Sequence, residues 1–309
     1  MLPRIFLCSL LLFSPVCALA ASVRETYKTA GDVKLTVDID TPADWKPADK
    51  RPAIVFFFGG GWSKGTPESF KAQAEYFAKR GMVCLRPDYR VRGRQNVAPD
   101  KCVEDAISAM RWARANAGRL GIDPGRIVAS GGSAGGHIAA CTFFTEGVNA
   151  RTDDKSVSPK PNAMVLYNPV LDMLAYYRAG QPFTGMSESV AKKISPAQMV
   201  KKDMPPTIIF VGSADSLYRQ IKTFVEKGKK LGAPVVGDYT EGPGHGFFNR
   251  PQYFDDILAK TDAFLVRIGY LAPKSDGIDM PTASAKGKKG GQKGGSKGGG
   301  KKDSGSDSG

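Results

Sequence analysis

Gly131-Gly132-Ser133-Ala134-Gly135 constrains this chain more than any other stretch. It lies between an apolar run at 126–130 and a helix-compatible run at 134–144. A serine set between near-bare residues at a strand-to-helix junction sits on a very sharp turn, because side chains at the flanking positions would clash. Such a turn holds the serine in a strained backbone conformation and presents its hydroxyl at the end of a strand. The helix that follows aims its first amides at the same point, where they favour developing negative charge.

Around this corner the chain alternates between short apolar runs and longer amphipathic ones, which predicts an α/β fold with a mostly parallel sheet covered by helices. Residues 34–40 alternate as a half-exposed strand, and 53–58 (AIVFFF) read as a central strand buried on both faces. Helical periodicity appears over 70–80, strand character over 82–86, and an amphipathic helix over 103–120 that Gly121 stops. Asp123-Pro124-Gly125 predicts a turn. Further strands are expected at 163–167, 207–211 and 235–239, with a closing helix over 253–268. The long interval 171–204 reads as a small helical insertion over the face that carries Ser133.

A serine hydroxyl is a poor nucleophile without an adjacent base, and the chain has two histidines. His245 lies in Gly244-His245-Gly246, after the last expected strand, on a loop able to carry the ring to Ser133. His137 follows Ser133 by one helical turn and points away, so it reads as a buried packing or hydrogen-bonding histidine. The base needs a carboxylate to fix its tautomer. Asp215, just past the strand at 207–211, stands at the carboxyl edge of the sheet and completes the chain order Ser, Asp, His. Asp172 competes for that role, with Asp238 and Glu241 in reserve. Gly59-Gly60-Gly61-Trp62 follows the buried strand at 53–58, where a glycine run can turn backbone amides toward the serine and join the Ala134 amide in an oxyanion hole. Trp62, Tyr89 and Phe247 are candidates to line a pocket or simply to pack.

Together these residues resemble the hormone-sensitive-lipase-like esterases of the α/β-hydrolase superfamily. The marks are FFFGGGW at 56–62, PDYR at 87–90, Asp105 on its helix, GIDPGRIVASGGSAGGH at 121–137, Asp215 and His245. The resemblance spans about 33–268 and implies the α/β-hydrolase fold, with Gly60, Gly61 and Ala134 supplying the hole amides. It also implies hydrolysis of short acyl esters, with acylated carbohydrate as one substrate class, and no metal or organic cofactor. In one respect the chain departs from the family: Phe58 stands where the family has a histidine before its glycines, so the loop's support must come from elsewhere.

The two ends differ from this body, which runs over 22–272. Arg4, an apolar run at 5–13 and Ala18-Leu19-Ala20 form the layout of a secretory signal peptide over 1–21, which predicts a secreted or periplasmic protein with no membrane span after cleavage. Residues 273–309 hold eight lysines against four aspartates among Gly and Ser, and cannot bury a core. This basic tail is expected either to solubilise or to be weakly attracted to anionic surfaces, with no specific nucleic acid as partner. Cys84, Cys102 and Cys141 remain after the leader, an odd number without metal-like spacing, so at most one disulfide is available to them. A peptidase of the same fold, a catalytically silent binding protein, and a chain whose basic tail is the working part are the rival expectations.

Overall fold

The apolar run at 53–58 forms the middle of an eight-stranded sheet. The computed structural model describes residues 22–180 and 185–274, so the leader and the tail beyond Lys274 lie outside the described residues. In chain order the elements are β1 (Ser22–Ala30), β2 (Val33–Asp40), β3 (Arg51–Phe57), α1 (Lys71–Lys79), β4 (Val83–Pro87), α2 (Arg92–Gln95), α3 (Pro99–Ala115), β5 (Ile122–Gly132), α4 (Ala134–Phe144), β6 (Ala163–Tyr167), α5 (Met173–Arg178), α6 (Glu188–Lys193), β7 (Thr207–Gly212), α7 (Tyr218–Lys230), β8 (Val235–Thr240) and α8 (Pro251–Arg267). The strands lie in the order β1-β2-β4-β3-β5-β6-β7-β8. β1 and β2 pair antiparallel, as do β2 and β4, and every later pairing is parallel. This is the mostly parallel sheet that the alternation predicts, in the α/β-hydrolase fold that the resemblance implies.

Ile54, Val55, Phe56 and Phe57 point alternately to the two faces of β3 and all are buried, so helices cover both. α4 is buried along its whole length, which explains why Ala134–Phe144 shows no polar stripe. The expected 103–120 helix instead runs from Pro99, which occupies a first-turn position where its missing N–H costs nothing, to Ala115. Ala117 and Leu120 stay buried in the turn beyond it, so the apolar pattern outlasts the helix. Asp123-Pro124-Gly125 does turn, but inside β5. The register against β3 jumps there, and Asp123 Oδ1 accepts the Gly125 amide at 2.8 Å. Three elements have no counterpart in the expectations above, the edge strand β1, the short helix α2 and the helix α7, which buries Ile221, Phe224 and Val225.

The insertion at 171–204 holds α5, α6 and a 3-10 turn at Pro196–Gln198, with residues 181–184 outside the described residues. It sits beside the glycine loop after β3, where Tyr176 of α5 meets Trp62 edge-on at 5.8 Å. Cys84, Cys102 and Cys141 are all buried and unpaired with one another, and burial pushes each thiol up, Cys141 to about 12. No helix among the described residues is long and apolar enough to cross a membrane.

A buried ion cluster ties the β1 edge to the loop beneath the glycine run. Asp105 of α3, fully buried, accepts Lys28 Nζ at 2.7 Å, Arg90 Nε at 2.8 Å and the Arg90 amide at 3.0 Å. Glu104 also reaches Arg90 at 2.8 Å. Removing one partner of a buried pair leaves charge without compensation. Asp105→Ala is therefore expected to destabilise the fold by about 3 kcal/mol, read as a lowered urea midpoint. An unchanged midpoint would contradict this role for the cluster.

Candidate active site

Ser133 stands between β5 and α4 with φ 55° and ψ −118°, a backbone conformation that costs a non-glycine residue. Three bonds hold it there. Its amide donates to Tyr167 O at 2.9 Å, and its carbonyl accepts His137 N at 3.0 Å and Val170 N at 3.4 Å. The corner also needs α4 to lie directly on β3. A Cβ at Gly135 would overlap the carbonyls of Phe57 and Phe58, so no larger residue fits there.

Asp215 and His245 arrive from the next part of the sheet edge. Asp215 follows β7, and its buried carboxylate is held at both oxygens. Oδ1 accepts the Leu217 amide at 2.9 Å, and Oδ2 faces His245 Nδ1 at 2.8 Å. His245 Nε2 lies 2.8 Å from Ser133 Oγ. A proton on Nδ1, held by the carboxylate, leaves Nε2 free to accept the serine proton, which is what a base in this position requires. The competing carboxylates are engaged elsewhere. Asp172 caps α5 by accepting Ala175 N at 2.9 Å, Asp238 pairs with Lys260 at 3.3 Å, and Glu241 is exposed.

The glycine loop lies close to the serine, where a Cβ built on Gly59 would stand 3.5 Å from that of Ser133. Gly60 (φ 127°) and Gly61 (φ 61°) both take backbone conformations that L side chains resist, and a Cβ at Gly60 would overlap the Lys64 carbonyl. Neither amide has an intramolecular acceptor among the described residues. Ala134 is the first residue of α4, so its amide belongs to the set a helix leaves without an internal partner.

Phe58 replaces the family's histidine, and the structure shows what supports the loop instead. The Phe58 ring stacks on Tyr89 with centroids 4.0 Å apart, while Tyr89 Oη donates to Phe58 O at 2.6 Å. The amides of Arg92 and Gly93 in α2 donate to Trp62 O and Ser63 O at 2.8 and 2.9 Å. Trp62 Nε1 donates to His137 Nδ1 at 3.0 Å, which places the remaining ring proton on Nε2, 2.6 Å from Ile194 O. His137 thus joins the glycine loop, α4 and the insertion. The two arginine-loop amides are invisible to sequence reasoning, since any residue but proline could supply them. Tyr89 and Phe247 are fully buried and Trp62 nearly so, which makes them packing groups rather than open pocket walls. Among the described residues no group of three or more His, Cys, Asp or Glu side chains is gathered as a metal site would be.

Burial holds the His137 imidazole down at about 4, against the slight upward pull of its bond to Ile194 O. In the unfolded chain it takes up a proton as pH falls through its ordinary value near 6.5, while the folded ring stays neutral until about 4. The unfolded state therefore binds more protons in that window, and stability falls as pH falls, by about 3 kcal/mol in total from this group. In urea titrations at pH 7 and pH 4.5, His137→Asn should lose less stability on acidification than the wild type. Equal losses would contradict a buried neutral imidazole.

The chain is similar to known esterases. The BD-FAE family model matches residues 37–227. Esterase LipC of Mycobacterium tuberculosis is 28% identical over 229 residues, 65% of this chain and 54% of LipC. Carboxylesterase NlhH of the same species is 34% identical over 125 residues, 40% of this chain and 38% of NlhH. The matched segments thus span about half or less of these curated relatives. A solved structure of Thermogutta terrifontis esterase 2 phosphorylated by paraoxon is 44% identical with a TM-score of 0.77, covering 83% of this chain and 98% of that one. A propionate-bound structure of the same esterase matches with 44% identity and a TM-score of 0.76, covering 86% of this chain and all of that one. With the family model matching more than half of its residues, the chain belongs to the BD-FAE family and to the esterases of the α/β-hydrolase fold.

Proposed function

We propose that this protein hydrolyses short-chain carboxylic esters through an acyl-enzyme formed on Ser133. The observation that carries the reading is the unbroken chain Ser133 Oγ, His245, Asp215, with both links at 2.8 Å. Ser133 Oγ attacks the ester carbonyl carbon as His245 Nε2 takes the hydroxyl proton. The carbonyl oxygen becomes an oxyanion, held by the amides of Gly60, Gly61 and Ala134. Collapse breaks the bond to the alkoxy oxygen, which leaves as an alcohol with the proton from His245. Water, deprotonated by His245, then attacks the acyl carbon, and the carboxylic acid departs as Ser133 regains its proton. Asp215 keeps the ring in the working tautomer and stabilises the transient imidazolium.

The short acyl preference is supported by the Thermogutta esterase, solved with propionate and with butyrate. Acylated carbohydrate as the alcohol portion, and export from the cytoplasm, are finer parts of the proposal. Export rests on the order of Arg4, the apolar run at 5–13 and Ala18-Leu19-Ala20, and the carbohydrate rests on that export together with the family resemblance. The basic tail would then meet anionic surfaces outside the cytoplasm.

The test is release of p-nitrophenol from acetate, butyrate, octanoate and palmitate esters by the wild type and Ser133→Ala. Turnover should fall steeply beyond butyrate, and the variant should lose on the order of 10⁴-fold or more in kcat. Acetylated xylan is the next substrate to try. Wild-type silence on every ester, or equal rates in the two proteins, would sink the mechanism and favour a binding protein that keeps the fold.

A further inference from the structure

We propose that Asn168 is a positioning residue for His245, holding the face of the imidazole so that both ring nitrogens stay aimed at their partners. The inference rests on the triad reading above and adds a residue that neither the motifs nor the family resemblance singles out. Asn168 directly follows β6, which lies between β5, whose last residue precedes Ser133, and β7, which ends shortly before Asp215. It is fully buried, and its amide donates to Phe210 O at 2.7 Å, which ties it to β7. Its φ is 37°, so it is one of four non-glycine residues with positive φ among the described residues, along with Ser133 itself. Asparagine tolerates that region better than most residues, but still at a cost.

The side chain has two unusual features. Its Nδ2 stands 3.5 Å from His245 Nδ1 and also 3.5 Å from Nε2. An atom in the ring plane at equal distance from both would overlap Cε1, so the carboxamide lies against the ring face. The in-plane directions are already taken by Asp215 and Ser133. Its Oδ1 is buried with no hydrogen-bond partner, an arrangement that folded proteins rarely retain. A strained backbone and an orphan acceptor at one residue mark a place where fold stability is given up for geometry.

His245 needs such a contact. Its side chain is 44% exposed, and it sits between two glycines on a loop rather than on a helix or strand. Asp215 holds one edge of the ring, and Arg250 reaches only the backbone, donating to His245 O at 3.2 Å. Without Asn168 the ring could swing about the line joining its two in-plane partners. The carboxamide is uncharged, so it restrains the ring without favouring the imidazolium as a carboxylate would.

Two variants test this, measured as kcat, KM and pH profile on a soluble short-chain ester, with rates per active site from organophosphate titration. Asn168→Ala removes the contact and should lower kcat roughly tenfold or more while KM stays within about twofold. Asn168→Asp keeps the size but puts an anion on the ring face, which favours the protonated ring. The neutral base then needs a higher pH, so the acidic limb of kcat/KM should move up by about one unit or more. A purely structural residue would lower Tm and yield while leaving kcat per titrated site and the acidic limb where the wild type has them. That result, in either variant, overturns the proposal. Failure of the triad reading looks different: wild-type protein without activity, or activity surviving in Ser133→Ala.

Discussion

The site depends on one strained turn. Ser133 keeps φ 55° because its amide and carbonyl are both claimed, by Tyr167 on one side and by His137 and Val170 on the other. Those partners belong to β6, α4 and the segment after β6, so the hydroxyl is aimed by the sheet and its first covering helix together. Strain of this kind persists only when the surroundings over-determine it. Gly135 shows how closely: the helix start lies so near the Phe57 and Phe58 carbonyls that no Cβ fits. The same contact sets α4 beside the glycine loop after β3, so the geometry that bends the chain at Ser133 also brings the candidate hole donors to it.

Support for that loop is distributed. Where the family places a histidine, this chain has Phe58 stacked on Tyr89, whose hydroxyl returns to the Phe58 carbonyl. Trp62 carries the load to His137, and His137 passes it to Ile194, just after α6 in the insertion. Below, the Asp105 cluster fixes Arg90, the neighbour of Tyr89. Phe58, Tyr89, Trp62 and His137 are buried rings, and Tyr89 Oη and Trp62 Nε1 each donate one of the bonds above. That combination fixes direction with few hydrogen bonds, because aromatic rings supply the contact area and single donors supply the orientation. The loop can therefore keep the glycine conformations at 60 and 61 without a side chain of its own reaching into the site.

Much of this is legible in the sequence. Apolar runs such as 163–167 mark strands buried on both faces, and Ala134–Phe144 is bounded by the glycine corner and by the end of its apolar run. Ser133, Asp215 and His245 were candidates from residue type, spacing and chain order, and the structure brings those three together while leaving Asp172 and Asp238 on other partners. Periodicity failed in two ways. It ran past the end of α3, because Ala117 and Leu120 are buried by a turn rather than by a helix. It also passed over α7, whose Ile221, Phe224 and Val225 stripe is short beside its many lysines. β1 is mostly polar and pairs only at the sheet edge, so nothing in its composition announces a strand. Asn168 was out of reach for a different reason. Its place depends on a backbone twist after β6 and on the path of the His245 loop, and neither is written in residue type.

The central claim is that Ser133 is the nucleophile and that His245 makes it one. Exposure to paraoxon, followed by peptide mapping in a mass spectrometer, tests both halves in one measurement. An attacking Ser133 oxygen displaces p-nitrophenolate and keeps the dialkylphosphoryl group, and it needs a base to do so. The account predicts one phosphoryl group per chain, on Ser133 alone, with labelling slowed by orders of magnitude in His245→Ala. A label on another residue, or equal labelling rates in the wild type and His245→Ala, would contradict it.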